Sequence, residues 1–234
     1  MSANDSPPKP AALTGPDTTA TPSGVGTTTA PSSPGTTTTP PIPDTTTIPP
    51  TLDTTTLKHR WIWIVTGPTA SGKTSAAKAL AAYLNFPFIE GDDYHPPANI
   101  AKMKDSIPLT DADRAGWLAT LRDYETRSSN LVMTCSALKR AYRDILRLDD
   151  VGVMVRFIFL DAPEEELTRR AAERKGHYAG PGLLKSQFEA LERPGEDEGD
   201  LFVVGTVGRG VEGTVEGVRG VVRGVMRREE GWGV

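Results

Sequence analysis

The stretch WIWIVTGPTASGKTSAAKALAAYL, residues 61–84, constrains this chain more than any other. An apolar run, a glycine-framed loop and an alanine-rich helical pattern follow one another without a break. Gly67-x4-Gly72-Lys73-Thr74 is the P-loop pattern, in its required context of strand before and helix after. The glycines let backbone N–H groups turn inward around phosphate oxygens. The helix beginning near Lys73 adds its N-terminal partial positive charge. This chemistry assigns Gly67, Pro68, Thr69, Ala70, Ser71, Gly72, Lys73, Thr74 and Ser75 to a nucleotide triphosphate. Within that set Lys73 reaches the β- and γ-phosphates and the Thr74 hydroxyl binds Mg²⁺. A chance match is the competing reading, and the strand–loop–helix context argues against it.

Five short apolar runs, WIWIV, FPFI, LVMTC, VRFIFL and LFVV, alternate with helical patterns. Unbroken apolar runs suit strands buried on both faces of a parallel sheet, so the expected fold is a three-layer α/β architecture. Thr110 followed by Asp113 resembles a capping box, and Trp117, Leu118, Leu121 and Tyr124 then share one helical face. Pro163 is expected at a first helical position, with Glu164, Glu165 and Glu166 in the turn that favours anions. Residues 205–228 are rich in glycine and valine. Val211, Val215, Val218, Val222, Val225 and Met226 nevertheless keep helical spacing, so a weak last helix that depends on docking is expected, with disorder as the rival. Residues 229–234 form a short tail.

Residues 1–57 hold 18 Thr and 12 of the 20 Pro, with no aromatic residue before Trp61. Such a segment cannot bury enough apolar surface to offset its ordering entropy and is expected to be disordered, leaving residues 58–228 as one domain. An O-glycosylated stalk is the sharper alternative, but no apolar leader or arginine-rich transit segment precedes it. No run of 18 apolar residues points to a membrane. The net charge of −4 gives no push toward nucleic acid, and the single cysteine, Cys135, fits a reducing compartment. The expectation is a cytoplasmic protein without a nucleic-acid or membrane partner.

A P-loop protein needs an acid near its metal. Asp161 ends VRFIFLD as an acid of the Walker B type does, or it caps the helix that follows. Glu90 and Asp92 in FPFIEGDDYHP lie just past the second strand, where ligands of open α/β sheets gather. Asp92 or Asp93 suits an acceptor of a proton from an attacking hydroxyl. His95 suits a hydroxyl or, when protonated, a carboxylate. Arg114, Ser136, Lys139 and Arg143 lie where an anionic substrate would be held, although each cation taken singly is more often a solvated surface residue.

Taken together, GDDYHPPANIAKM, PLTDADRAGWL, CSALKRAYRDILR and RKGHYAGPGLLKSQFEALERPGEDE resemble the gluconokinase family from about Trp61 to Val204. The resemblance implies an adenylate-kinase-like P-loop kinase fold, with a five-stranded parallel sheet in the order 2-3-1-4-5 and a helical lid near residues 174–190. It also implies ATP-dependent phosphorylation of the 6-hydroxyl of D-gluconate with Mg²⁺, and a homodimer. By the same resemblance Asp92 orients or deprotonates the acceptor hydroxyl, and Glu90 takes the metal ahead of Asp161. His95, Arg114, Ser136, Lys139 and His177 fall on the substrate side. Arg170 and Arg174, four residues apart on one helical face, contact the nucleotide and its phosphates, with Arg174 and Lys73 joining Asp92 as the catalytic set. Gln187 lies in a family-specific stretch without an assigned role.

Three departures from the family stand out: Thr69 and Ala70 in the cradle, the stretch GTVGRG after LFVV where an acid is usual, and the Thr/Pro tail. The GTVGRG stretch lies near the place where similar kinases hold adenine. Two rival readings stand beside gluconate phosphorylation. One is another small-molecule kinase, acting on shikimate or a nucleoside monophosphate, and the acceptor-side motifs disfavour it. The other is a decayed nucleotide-binding interaction protein, which the intact Lys73, Thr74, Asp92, Arg170 and Arg174 disfavour.

Overall fold

The structure is a computed structural model that describes residues 52, 54, 56–173 and 181–231. All of them lie in the unit Thr46–Val234. Five strands, β1 (Arg60–Thr66), β2 (Phe88–Glu90), β3 (Leu131–Thr134), β4 (Val153–Asp161) and β5 (Leu201–Gly205), form one sheet in the order β2-β3-β1-β4-β5. Every neighbouring pair is parallel. The strand order is the one the family resemblance implies.

The apolar run of β1 shows why the sheet has two covered faces. Successive side chains point to opposite sides of a strand. Trp61, Trp63 and Val65 therefore pack with helices α1 (Lys73–Leu84) and α7 (Gly210–Glu230). Ile62 and Ile64 pack on the other side with α3 (Asp111–Arg127) and α4 (Arg140–Leu146). Trp61 and Trp63 stack with ring centroids 5.6 Å apart. Both faces are dry, so an alternating polar pattern would have failed here.

Helix ends follow local chemistry. The Thr110 hydroxyl accepts from Asp113 N–H while the Asp113 carboxylate accepts from Thr110 N–H, a complete capping box that starts α3. Trp117, Leu118 and Leu121 are buried on that helix, but Tyr124 is 37% exposed and Glu125 takes the next buried position. The buried stripe steps by four residues from Leu121, and Tyr124 falls outside it, edge-on to Tyr94. The glutamate-rich first turn expected after Pro163 opens α5 (Glu164–Glu173). The Gly/Val-rich segment forms α7, docked through Val218, Val222, Val225 and Met226, whereas Val211 is exposed. Packing starts ahead of the boundary expected after residue 57: Leu52 donates its N–H to Tyr83 O, and Leu52 and Leu57 lie against the core. No helix among the described residues is long and apolar enough to cross a membrane.

Candidate active site

The loops that leave the C-terminal ends of β1, β2 and β3 converge on a cavity of about 700 Å³. This is the side of an open α/β sheet on which ligands bind. The cradle between β1 and α1 supplies Thr69, Ala70, Gly72, Lys73 and Thr74 to its lining. Gly67 has φ of 132°, and a Cβ there would lie 2.9 Å from Leu160 O, so the turn out of β1 admits only glycine. Ala70 also takes a left-handed conformation, with φ of 64°. The Ser71 hydroxyl is buried with no hydrogen-bond partner among the described residues. Lys73 Nζ donates to Pro68 O at 2.9 Å. A glycine-restricted loop at a helix N-terminus, with a lysine and a threonine facing a cavity, fits the phosphates of a nucleotide.

Across the cavity stands the segment after β2, a 3-10 turn at Gly91–Tyr94. Three contacts hold it. Gly91 N–H donates to Thr134 Oγ1 at 3.1 Å, and Trp117 Nε1 donates to Gly91 O at 2.7 Å. A Cβ at Gly91 would lie 2.0 Å from Thr134 O, so strand β3 can approach this closely only because residue 91 is glycine. The Thr134 hydroxyl in turn donates to Glu90 Oε1. Thr134 thus aims Glu90, and Trp117 and Gly91 aim Asp92. Glu90, Asp92, Asp93, His95, Arg114 and Ser136 all line the cavity with Lys73 and Thr74.

His95 lies flat on Trp117, with ring centroids 4.1 Å apart. Burial, with the Arg114 charge adding to it, lowers its pKa to about 4. The ring is therefore neutral at pH 7, the form that suits a hydroxyl partner better than a carboxylate. Asn99 Nδ2 donates to Asp113 O at 2.8 Å and faces His95 Nδ1 at 3.4 Å. That assigns the ring proton to Nε2, which lies 3.9 Å from Asp92 Oδ1. Arg114 is 8% exposed and donates to Leu109 O. Its guanidinium lies 5.7 Å from the Tyr142 ring centroid, and no carboxylate among the described residues pairs with it.

Other expected site residues are engaged elsewhere. Arg143 is 1% exposed and makes a bidentate pair with Glu198 at 2.6 and 2.8 Å, which removes it from the substrate candidates. Lys139 pairs with both oxygens of Asp111 at 2.8 Å beside the Tyr142 hydroxyl, outside the cavity lining. Asp161 accepts from Arg193 at 2.7 Å, so its side chain neither caps α5 nor reaches the cavity. Arg170 donates to Glu166 Oε1 at 2.8 Å and to Thr206 Oγ1 and O at 2.9 Å. It holds the first residue of TVGRG rather than facing the cradle. Arg174 and His177 lie outside the described residues.

Sequence reasoning missed Thr134, Asn99 and the Trp117 indole N–H, because each acts through a partner distant in the chain. It also missed the apolar part of the lining, Ile100, Met103, Leu109 and Leu183. No cluster of three or more His, Cys, Asp and Glu fit for a metal occurs among the described residues. Mg²⁺ needs none, since one or two protein ligands and substrate phosphates hold it. Thr74 and Glu90 across one cavity fit that pattern.

Residues 62–194 match the AAA domain family. A probable gluconokinase of Schizosaccharomyces pombe is 45% identical over 154 residues, covering 62% of this chain and 80% of that protein. The thermosensitive gluconokinase of Escherichia coli K12 is 46% identical, over 59% of this chain and 75% of that one. The crystal structure of a gluconokinase from Sinorhizobium meliloti superposes with a TM-score of 0.62 at 37% identity, covering 74% of this chain and 99% of that one. The family match over residues 62–194 spans both the cradle and the Asp92–His95–Arg114 wall, and with these relatives the chain belongs to the gluconokinase family.

Proposed function

We propose that this protein transfers the γ-phosphoryl group of ATP to the 6-hydroxyl of D-gluconate, giving ADP and 6-phospho-D-gluconate. The observation that carries this reading is the wall opposite the P-loop. There a buried Arg114 without a carboxylate partner stands beside a neutral His95 and Asp92. Asp111 acts on Arg114 only through its charge, without a paired contact. A buried cation without a paired carboxylate is costly, and the carboxylate of an aldonic acid would offset that cost through charge-assisted hydrogen bonds. The neutral His95 can exchange hydrogen bonds with a polyol.

The residues then divide the work. Arg114 holds the acceptor's carboxylate, and Ser136 and His95 take its hydroxyls. Asp92 accepts the proton of the attacking hydroxyl as the new O–P bond forms and the bond to the ADP oxygen breaks. Lys73 and the cradle amides offset charge on the transferring group, already oriented before the reaction begins. Thr74 and Glu90 would hold Mg²⁺, which when bound neutralises phosphate charge. The cavity walls from α2 (Pro97–Lys104) and α6 (Pro181–Glu189) limit the water that could compete as acceptor.

The test is ADP release with MgATP and a panel of D-gluconate, shikimate, glycerate and nucleoside monophosphates. Release with gluconate alone is expected. Asp92→Ala lowers turnover by about 10²–10⁴-fold and leaves ATP binding within a few-fold. Release with a different acceptor overturns the assignment. Loss of ATP binding in Asp92→Ala would move that residue to the metal or the fold.

A further inference from the structure

Helix α6 forms part of the cavity wall, and one polar side chain links it to the cradle. Leu184 is buried against Ala162 and Leu167, with Phe188 packed alongside, so α6 is seated on α5. Leu183 and Gln187 face the cavity. The Thr69 N–H donates to Gln187 Oε1 at 2.7 Å. Because Oε1 is committed to an N–H donor, the amide NH₂ is the group left facing the cavity. Among the described residues its one contact is a long one, 3.4 Å to Thr69 Oγ1. Lys73 Nζ is bonded to Pro68 O, one residue before Thr69, so Gln187 and Lys73 flank the same turn of the cradle.

We propose that Gln187 is a positioning residue for the terminal phosphoryl group: its carbonyl oxygen sets the front of the P-loop through Thr69, and its NH₂ donates to the γ-phosphoryl oxygens beside Lys73. The α1 N-terminus and the amides next to it serve the inner phosphates. The turn at Pro68–Thr69 lies at the opposite end of the loop from the α1 N-terminus, and Thr69 lines the same cavity as Glu90 and Asp92. A neutral amide there supplies a donor without adding another cation beside Lys73, and its seat on α6 ties this wall to nucleotide occupancy. The inference rests on the phosphoryl-transfer reading. Its test needs no acceptor, so an error in the acceptor leaves it standing.

The experiment compares Mg²⁺-nucleotide affinity by calorimetry for the full chain, Gln187→Glu and Gln187→Met, using a non-hydrolysable ATP analogue and ADP. Glutamate keeps an acceptor for Thr69 N–H, removes the donor and adds a negative charge. Methionine removes both polar functions at similar length. A hydrogen bond to a charged group corresponds to about tenfold in affinity. Both variants should therefore weaken the ATP analogue by about tenfold, Gln187→Glu the more, while ADP affinity changes less than about twofold. Equal weakening of both nucleotides in Gln187→Glu would make Gln187 a structural prop of the loop and overturn the proposal. Unchanged affinity for both would overturn it as well. Thermal melts of the unliganded variants separate a loss of fold from a loss of contact, and Gln187→Glu, being isosteric, keeps the comparison valid if Gln187→Met misfolds.

Discussion

Glu125 lies on the core face of α3 with both carboxylate oxygens buried and no hydrogen-bond partner among the described residues. Burial pushes its pKa up to about 9, against the smaller opposing effect of Arg122 and Arg60. The folded chain therefore holds Glu125 neutral at pH 7, whereas the unfolded chain ionises it near its ordinary value of 4.5. A group that binds its proton more tightly in the folded state contributes fully below the unfolded pKa. That contribution is lost as pH rises toward about 9, and nothing further is lost above it. Glu125→Gln removes this dependence. Urea melts should show the variant gaining on the parent by about 1.4 kcal/mol per pH unit between pH 5 and pH 8.5, several kcal/mol in all, with the gap nearly closed at pH 5. His95 shows the opposite case, a base kept neutral by its place on Trp117. Neither protonation state was legible in sequence, because each depends on what packs against the ring or carboxyl and not on its neighbours in the chain.

Among the elements, α7 departs furthest from ordinary helix composition, and it forms because its valines dock and not because its sequence favours helix. Gly220 and Gly224 are exposed within it, and a Cβ on either would meet nothing within 4 Å. Alanine there should raise stability by about 0.5–1 kcal/mol each, seen as a higher Tm. At Gly217 the same Cβ would meet Arg209 Nη1 at 3.0 Å and Val204 Cγ1 at 3.1 Å. Gly217→Ala should therefore give no gain or a loss in the same melts, since the β5–α7 packing must shift to admit it. Equal gains at all three sites would mean that the valine docking is looser than described. The strands, the capping box of α3 and the acidic start of α5 were readable in advance, because they rest on period, capping residue and local charge. The buried stripe of α3 was only partly so: at its end the helix step chose Glu125 over Tyr124, and polarity alone would have chosen the tyrosine.

Across the whole molecule, contacts between chain-distant residues join the end of the domain to its beginning. Glu230, 1% exposed on the last turn of α7, accepts from Lys58 N–H at 2.6 Å, from Trp61 Nε1 at 2.6 Å and faces His59 Nδ1 at 3.2 Å. Burial raises its pKa, but these partners together outweigh burial and hold the carboxyl below its usual value. Glu230→Ala leaves the buried indole N–H without its acceptor and should cost about 1–3 kcal/mol, measured by denaturant unfolding. An unchanged midpoint would show that the clasp contributes nothing to stability. A second non-local set, Arg143 and Arg147 with Glu198 and Asp200, ties α4 to the segment before β5.

The sequence by itself determined the cradle and the unbroken apolar runs of a two-faced parallel sheet, and its motifs pointed to Asp92, His95 and Arg114, which line the cavity with the cradle. These are contiguous motifs in which spacing carries the chemistry. Only the tertiary structure decided where the polar side chains go: Arg143 to Glu198, Asp161 to Arg193, Arg170 to Thr206, Lys139 to Asp111 and Gln187 to the Thr69 amide. The physical reason is reach. A flexible side chain several bonds long takes whichever partner the packing of remote elements brings within about 3 Å, and no local pattern records which partner that will be.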